Sequence, residues 1–336
     1  MTLSRRHLLK TAPLLASTGS LAWLPAHAAR TTLKFGSVTA VDHPVTLGAK
    51  EAAATLKEAT GGDVDLRVFP NSQLGSDMDM LSQVRAGALD MVAISSIVLS
   101  NLVPSTSVTG VGFAWSGYDK VWAAMDGELG RQLQADIEAK GLHCVGRIWD
   151  MGFRQITSSE KRIASPDDLK GFKIRIPPAE IWVSLFQSLG ASPANISWAE
   201  TYSALQTRVA DGQENPLTPI FFSKMYEVQK YVAMSNHMWD GMWIIVNKSR
   251  WEKMDPKTRA AIEKAVDQAG VSQRANSERL NQSLRADLTA KGMQFVDVKS
   301  SDFRDRLSAA GFYKKAQGNY RPDLWAAMEK YTGKLA

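Results

Sequence analysis

Arg175 is the residue whose type and position most directly suggest chemistry. It lies in Lys170–Pro178 (KGFKIRIPP), where Phe172, Ile174 and Ile176 recur at the period of two typical of a strand with one buried face. The two prolines that follow cannot donate to a ladder, so the strand ends there. Open α/β sheets bind ligands at the carboxyl ends of strands, and a guanidinium binds a carboxylate through two charge-assisted hydrogen bonds. A solvated arginine at a sheet edge is the alternative interpretation.

Common catalytic and phosphate-binding motifs do not occur in the sequence. It has no Gly-rich phosphate loop, HExxH or GxSxG. Beyond the first 28 residues the histidines are His43, His143 and His237, whose separation argues against a zinc site or a catalytic triad. The adjacent acids Asp167 and Asp168 lie in a predicted first helical turn, where acids favour the helix dipole. We therefore expect a binding site without a catalytic group, metal or cofactor.

The first 28 residues are interpreted as an export signal. Ser4–Lys10 (SRRHLLK) matches the twin-arginine pattern, an apolar stretch to Leu24 follows, and Ala26–Ala28 (AHA) is typical of a cleavage site. An ordinary secretory signal with two arginines in its basic region is the alternative, and either signal predicts a periplasmic protein. The apolar stretch is too short and too interrupted to be a permanent anchor.

Length and charge exclude several classes of protein. Removing the signal takes away three bases and no acids, so the formal charge falls from +6 to +3. The sequence has no basic run, and neither nucleic-acid nor membrane-surface binding is predicted. The remaining 308 residues are enough for two domains. The single cysteine, Cys144, excludes an intramolecular disulfide and is interpreted as a small buried hydrophobe.

Predicted strands and helices alternate along the first two thirds of the chain, which is typical of a parallel sheet covered by helices. Predicted strands cover 33–38, 64–68, 88–94, 142–148, 172–176, 231–235 and 243–247, and predicted helices cover 44–59, 76–86, 118–125, 128–140, 179–189, 198–210 and 220–228. Capping boxes begin the helices at Ser76 and Ser197, and a third begins a one-turn helix at Ser165. Gln213–Pro216 is predicted as a turn.

A long helical pattern over 255–291 distinguishes the last third. One continuous helix of that length would brace two units. The predicted division gives one domain residues 29–151 plus about 241–280, and the other 152–240 plus about 281–336. A strand over 293–298 and helices over 302–310 and 322–331 complete the prediction.

Seven stretches between residues 69 and 230 together are typical of one family. They are Phe69–Gly75 (FPNSQLG), Gly87–Asp90 (GALD), Gly152–Arg154 (GFR), Asp167–Pro177 (DDLKGFKIRIP), Glu200–Gln206 (ETYSALQ), Asp211–Pro216 (DGQENP) and Tyr226–Lys230 (YEVQK). In their order and spacing, from about Leu33 to Asn247, they resemble the DctP-type solute-binding proteins of tripartite ATP-independent periplasmic (TRAP) transporters. The late helix is also similar to that family.

This resemblance implies a periplasmic-binding-protein-like α/β fold (type II-like), with two domains closing on an organic acid and a bracing helix across the hinge. By position in the family motifs, Arg175 would pair with the ligand carboxylate. Arg154 would supply a second cation or hydrogen bonds, and Asn215 would bind the same end of the ligand.

Further ligand-binding candidates have competing structural interpretations. The acid in the first turn of a helix, Asp77, also favours its own helix dipole, and tryptophans and histidines are commonly part of a core. These candidates are Gln73, Asp77, Trp149, Trp198, Trp239 and His237. Val38 and Ser95 stand where the sialic-acid-binding branch of the family carries Asn and Glu, which predicts a ligand with fewer polar groups at that end.

The sequence thus predicts a non-enzymatic receptor that captures an organic carboxylate and passes it to integral membrane subunits. A hydroxy or oxo acid, a sugar acid and an aromatic acid all fit this prediction. One alternative is a periplasmic hydrolase or lyase with Asp77, Glu214 or His237 as general base. Another is a protein that presents its ligand to a sensor kinase.

Overall fold

The computed structural model of the protein describes residues 31–335, and the predicted export signal lies outside the described residues. Ten strands are present in this part: Thr31–Gly36 (β1), Val64–Phe69 (β2), Met91–Ser95 (β3), Leu142–Cys144 (β4), Trp149–Ser158 (β5), Lys173–Ile176 (β6), Ser192–Asn195 (β7), Gly212–Asn215 (β8), Tyr231–Asn247 (β9) and Gln294–Asp297 (β10).

Thirteen α-helices surround these strands within residues 31–335: Pro44–Ala59 (α1), Asp77–Ala86 (α2), Ser96–Leu99 (α3), Tyr118–Met125 (α4), Glu128–Glu138 (α5), Glu180–Ser188 (α6), Trp198–Gln206 (α7), Leu217–Phe222 (α8), Lys248–Lys253 (α9), Pro256–Ala290 (α10), Ser300–Ala309 (α11), Phe312–Gly318 (α12) and Pro322–Thr332 (α13). Short 3-10 helices occupy Pro104–Gly110, Pro166–Leu169 and Met225–Glu227.

The strands form one mixed sheet in the order β2-β1-β3-β9-β5-β8-β6-β7, and β4 and β10 also pair with β9. β1 is parallel to β2 and β3, and β6 is parallel to β7 and β8. β9 is antiparallel to β3 and β5, and β5 is antiparallel to β8. The prediction of a parallel sheet is therefore right for the outer strands of each half and wrong for the centre.

Two long strands join the halves of the sheet. β9 pairs with β3 through Met242–Val246 and with β10 through Tyr231–Met234, so one strand serves both halves. The prediction of two separate strands here was wrong. The register of β5 against β9 shifts twice, between Asp150 and Gly152 and between Arg154 and Ile156. Gly152 has φ 118, a conformation that is strained for a residue with a side chain.

The segment Gln213–Asn215 is the inner strand β8, and the prediction of a turn there was wrong. Inside the sheet, Gln213 hydrogen-bonds Thr157, Glu214 hydrogen-bonds Arg154 and His237, and Asn215 donates to Gln213, so these polar side chains need no exposure to water. The predicted helix over 220–228 is instead α8 followed by the 3-10 helix Met225–Glu227, and the strand predicted over 142–148 ends at Cys144. Neither β5 nor β7 was predicted.

Two of the three predicted capping boxes are confirmed. The box predicted at Ser197 was wrong, because its hydroxyl donates to Glu200 Oε2 at 2.6 Å and does not cap α7. Ser76 and Asp79 form the predicted capping box of α2, and Gly87 ends that helix with φ 75. Ser165 and Asp168 form the capping box of the short helix at Pro166–Leu169. Cys144 is buried, as predicted.

The long helix α10 contacts both halves, and the prediction of a bracing helix is confirmed. Near its start, Ile262 and Val266 pack with α1 and β1 in one apolar core. Near its end, Leu284 and Leu288 pack in another core that contains Leu205 and Ile220. The sheet and α10 thus hold the strand ends of the two halves facing each other.

Candidate functional site

A cavity lies where the strand ends of the two halves meet. Its volume is about 560 Å³ when its open mouth is included. One wall comes from the segments after β1 and β3 and from the start of α2: Val38, Thr39, Ala40, His43, Asp77, Ser95 and Val98. Met151 and Arg154 of β5 and Asp240 and Met242 of β9 form the base.

The opposite wall comes from the second half of the sheet. It contains Arg175 and the prolines after β6, together with side chains from α6, α7, β8 and α8: Arg175, Pro177, Pro178, Trp182, Trp198, Asn215, Pro219 and Ser223. Most of the exposed lining surface is apolar, which lowers the local dielectric constant around its polar atoms.

Arg175 is a buried cation without an anionic partner. Its side chain is 1% exposed, and Nε donates to the carbonyl oxygen of Ile196 at 2.9 Å. Nη1 has no hydrogen-bond partner, and no ion pair formed within residues 31–335 involves Arg175. Burial lowers the pKa of Arg175 to about 9, even though Glu214 favours its charge. A buried charge in this state is strongly stabilised by an anion from outside the chain.

Arg154 is equally buried but is already neutralised. Both oxygens of the Glu214 carboxylate accept from its guanidinium, through Nε and, at 2.7 Å, through Nη2. Nη2 also donates to the Glu214 carbonyl oxygen at 2.8 Å, and Nη1 lies 3.4 Å from Asp240 Oδ2. Burial opposes the charge of Arg154, but Glu214 more than offsets it and raises the pKa. Arg154 is thus part of a charge network as well as of the cavity lining.

His237 and Glu214 complete that network below the cavity. His237 Nε2 lies 3.1 Å from Glu214 Oε2, and its Nδ1 lies 2.8 Å from Ser235 Oγ. Burial lowers the pKa of His237, so the ring is neutral near pH 7 and Nε2–H donates to the carboxylate. Burial opposes ionisation of Glu214, but Arg154 and His237 hold its pKa below the usual range.

Two further carboxyl groups line the cavity, and both are destabilised as anions. Burial raises the pKa of Asp240 to about 6, against the opposing effects of Arg154 and of the Ser95 hydroxyl, which donates to Oδ2 at 2.7 Å. Burial also raises the pKa of the half-buried Asp77 to about 6, against the attraction of Arg175. The cavity therefore places one unpaired cation among several acids.

Asn215 and Trp198 contact the arginine wall. Asn215 is the last residue of β8 and donates through Nδ2 to Gln213 Oε1 at 2.5 Å, which fixes its amide beside the cavity. The Trp198 ring lies 5.7 Å from the Arg175 guanidinium carbon, within cation–π distance. Of the nine predicted ligand-binding residues, five line the cavity: Arg175, Arg154, Asn215, Asp77 and Trp198.

The structure places the other four outside the cavity lining. Trp149 packs in the core against Phe35 and α1, and Trp239 donates through Nε1 to Asp150 Oδ1 at 2.9 Å. His237 supports Glu214. Gln73 is exposed in the loop after β2. Trp239 precedes the cavity residue Asp240, but alternation along β9 turns neighbours to opposite faces.

Among the cavity residues that were not predicted, three carry a buried polar atom that has no hydrogen-bond partner within residues 31–335. His43 lies at the N-cap of α1, where its Nδ1 accepts from the Val45 amide at 3.2 Å. Trp182 packs its ring 4.9 Å from the Arg154 guanidinium carbon. Asp240 is an acid within the apolar sequence Met238–Met242, and this was the one available signal, because a carboxylate in a buried strand needs a special partner.

The cavity and its charges define a class of protein. A two-domain α/β fold holds a partly open, largely apolar cavity in which the Arg175 guanidinium has no anionic partner from residues 31–335, while Glu214 is bound by Arg154 and His237. Within residues 31–335 no group of three or more His, Cys, Asp or Glu side chains is arranged to hold a metal ion. Such a site is suited to binding an anionic solute.

Comparison with known proteins gives the family. Residues 35–311 match the model of the bacterial extracellular solute-binding proteins of family 7, the DctP family. The chain therefore belongs to the DctP family of solute-binding proteins, and the predicted resemblance and fold are confirmed.

Two relatives and one solved structure illustrate the similarity. The chain is 35% identical over 263 residues to the C4-dicarboxylate-binding periplasmic protein of Rhodobacter capsulatus, covering 76% of this chain and 78% of the relative. It is 30% identical over 290 residues to the 2,3-diketo-L-gulonate-binding periplasmic protein of Escherichia coli, covering 86% and 88%. A TRAP solute-binding protein from Roseobacter denitrificans, solved with bound L-galactonate, is 28% identical with a TM-score of 0.83, covering 90% and 98%.

Proposed function

We propose that this protein is a non-enzymatic periplasmic receptor that captures an organic carboxylate and delivers it to the membrane subunits of a TRAP transporter. Residues 1–28 would direct export, by the twin-arginine route. The relatives support this proposal, because their names specify periplasmic binding of organic acids. No helix within residues 31–335 combines the length and apolarity needed to cross a membrane.

The observation that carries the proposal is the unpaired, buried guanidinium of Arg175. A carboxylate would accept two hydrogen bonds from it, with Asn215 and Arg154 Nη1 as further donors at the same end. The ligand would thereby supply the anion that the chain itself does not provide to Arg175.

Closure of two domains over the ligand is part of the proposal. The domains would be residues 29–151 plus about 241–280 and residues 152–240 plus about 281–336, joined by β5, β9 and α10. Two contacts across the cavity support closure. Asn101 Nδ2 donates to the Pro178 carbonyl oxygen at 2.7 Å, and the rings of His43 and Phe222 lie edge to face at 6.0 Å. An open state would lack both contacts.

The enzyme alternative is weakened by the same geometry. Glu214 is held by Arg154 and His237, so neither Glu214 nor His237 is free to take a proton from a ligand. Asp77 remains the one candidate base of the three, and turnover of a bound carboxylate would favour that alternative. A gene neighbourhood with a sensor kinase and no transporter subunits would instead favour ligand presentation to a sensor.

Thermal unfolding with a panel of organic acids tests the proposal. The panel should contain hydroxy, oxo, sugar and aromatic acids, with wild-type protein refolded first to remove any copurified ligand. An acid at a hundred times its Kd should stabilise the wild type by roughly 2.7 kcal/mol. Arg175→Ala should weaken binding over a hundredfold, because losing one partner of a buried pair costs about 3–5 kcal/mol. The stabilisation at the same concentration should then fall below about 0.4 kcal/mol.

Arg67→Ala is the matched control. Arg67 is exposed on β2, and its ion pair within residues 31–335 is with Asp65 of its own strand. Its removal should therefore leave the stabilisation by ligand unchanged. If Arg175→Ala binds as tightly as the wild type and the control, the carboxylate is not bound by Arg175 and the proposal fails.

A further inference from the structure

We propose that Asp240 and His43, assisted by Trp182, bind hydroxyl groups of the ligand, so that the cavity selects hydroxylated monocarboxylates over dicarboxylates and unsubstituted acids. This inference rests on the proposed function, because it assumes that Arg175 binds the carboxylate end.

The observation behind it is a set of buried polar atoms of cavity-lining residues that have no hydrogen-bond partner within residues 31–335. Besides Arg175 Nη1, these atoms are His43 Nε2, Trp182 Nε1 and Asp240 Oδ1. All four side chains are almost completely buried. A buried polar atom left without a partner costs about 1–3 kcal/mol, so the cavity favours a ligand that satisfies all of them.

Asp240 requires a donor from the ligand. Its Oδ2 already accepts from Ser95 Oγ and faces Arg154 Nη1, whereas Oδ1 accepts from no group within residues 31–335. Its raised pKa of about 6 still leaves it mostly ionised near pH 7. An ionised carboxylate is an acceptor only, so a ligand hydroxyl satisfies it, whereas a ligand carboxylate or a methylene group does not.

His43 has the opposite requirement. Because Nδ1 accepts from the Val45 amide, the ring proton lies on Nε2 and this atom is a donor. Burial lowers the pKa of His43 to about 3, so the ring stays neutral and carries no cation for a second ligand carboxylate. Trp182 Nε1 is likewise a neutral donor. A hydroxyl group both donates and accepts, and is the one simple group that suits an Asp acceptor and these donors.

The charges of the cavity give the same selection. Arg154 is offset by Glu214, so Arg175 is the one cation of the described lining that is free for a ligand. A second carboxylate on the ligand would be repelled by Asp77 and Asp240 in a medium of low dielectric constant. Discrimination therefore comes from repulsion of the wrong ligand as well as from bonds to the right one.

Calorimetric titration with acids of equal chain length tests this inference. The four-carbon set is erythronate, butyrate and succinate, and the six-carbon set is gluconate, hexanoate and adipate. In at least one set, wild-type protein should bind the hydroxylated acid at least tenfold more tightly than the other two. Asp240→Asn should reduce that preference over the dicarboxylate at least tenfold, because the amide removes the repelling charge and can donate to the second carboxylate.

Two further variants separate the causes. His43→Asn keeps an N-cap acceptor for α1 but shortens the side chain and removes the Nε2 donor. It should weaken the binding of hydroxylated acids several-fold and leave the affinities for butyrate and hexanoate unchanged. Asp167→Asn removes the same charge as Asp240→Asn from a side chain that is 81% exposed and should change no ratio. If Asp240→Asn does not fold, His43→Asn alone decides the outcome.

The outcomes distinguish this inference from the proposed function. Similar affinities for the three acids of each set in the wild type, or ratios unchanged in every folded cavity variant, would overturn the inference. If Arg175→Ala still abolishes binding in that case, the proposed function stands. If none of the six acids binds but an aromatic acid stabilises the protein in the unfolding panel, the inference alone is wrong.

Discussion

Arg154 and Arg175 are both almost completely buried beside one cavity, yet their surroundings differ. Arg154 lies at the centre of the sheet, and its guanidinium is bound by Glu214 and faces Asp240. Arg175 lies near the end of β6, next to the edge strand β7. Within the described residues, its guanidinium makes one hydrogen bond, to the carbonyl oxygen of Ile196. The charge of Arg154 is balanced by carboxylates of the protein, whereas the charge of Arg175 requires an anion from solution.

This difference gives the two arginines of one site separate roles, Arg154 in the structure of the cavity and Arg175 in ligand recognition. The network of Arg154, Glu214 and His237 fixes the base of the cavity and contributes to a unique arrangement of β5, β8 and β9. The buried charge of Arg175 destabilises the protein until a ligand binds. An anionic ligand removes this cost, and the relief contributes to its affinity for the bound state. Substitution of Arg154 should therefore mainly reduce the stability of the protein, whereas substitution of Arg175 should mainly reduce ligand binding.

Arg154→Met should give the largest loss of stability. The change leaves Glu214 and Asp240 buried without their cation, which costs about 3–5 kcal/mol. Urea unfolding of the ligand-free protein measures it. Adding Glu214→Gln to Arg154→Met should restore part of the loss, since the second change removes the stranded charge. Equal or greater destabilisation of the double variant would show that Glu214 is not the partner that matters.

Substitution of Asp240 should give the next largest change in the free energy of unfolding, and this change depends on pH. Its pKa is raised by burial from about 3.9 in the unfolded chain to about 6 in the folded chain. Between those values the folded state binds more protons, so the stability from Asp240 is complete below about pH 4 and is lost as pH rises through about 6. Two pKa units correspond to about 3 kcal/mol.

Comparison of wild type with Asp240→Asn isolates that contribution. The difference in their free energies of unfolding should shift by up to about 3 kcal/mol in favour of Asp240→Asn between pH 4 and pH 7. Urea titrations at four pH values, without ligand, measure the shift. A difference that stays constant over this range would mean that Asp240 is ionised throughout and compensated by Arg154.

The two arginines also show how far the sequence predicts such a site. Arg175 was placed at a strand end from alternation and two prolines alone, because these signals are local. The state of Arg154 was not predictable in this way. Its partners Glu214 and Asp240 come from β8 and β9, and only the pairing of these strands with β5 brings them together.

The same distinction explains the errors in the fold. Helices α1, α2 and α10 have caps and periodic apolar faces in their own sequence, and they were predicted within a few residues. The polar stretch Gln213–Asn215 is predicted as a turn from the sequence, although Thr157 binds Gln213 and both Arg154 and His237 bind Glu214 inside the sheet. β9 was divided in two because its middle contains polar residues and Gly241, which the partner strand β5 accommodates through shifts of register.

Arg175→Met should give the smallest effect on the stability of the ligand-free protein. The change removes one hydrogen bond to Ile196 and the contact with Trp198, together worth about 1–2 kcal/mol. It also removes a cation whose burial is unfavourable enough to lower its pKa to about 9. The loss of these contacts and the removal of the buried charge oppose each other. Urea unfolding at pH 7 should therefore give a free energy of unfolding that is no more than about 1 kcal/mol below that of the wild type. A loss as large as that of Arg154→Met would mean that the protein itself, and not a ligand, neutralises Arg175.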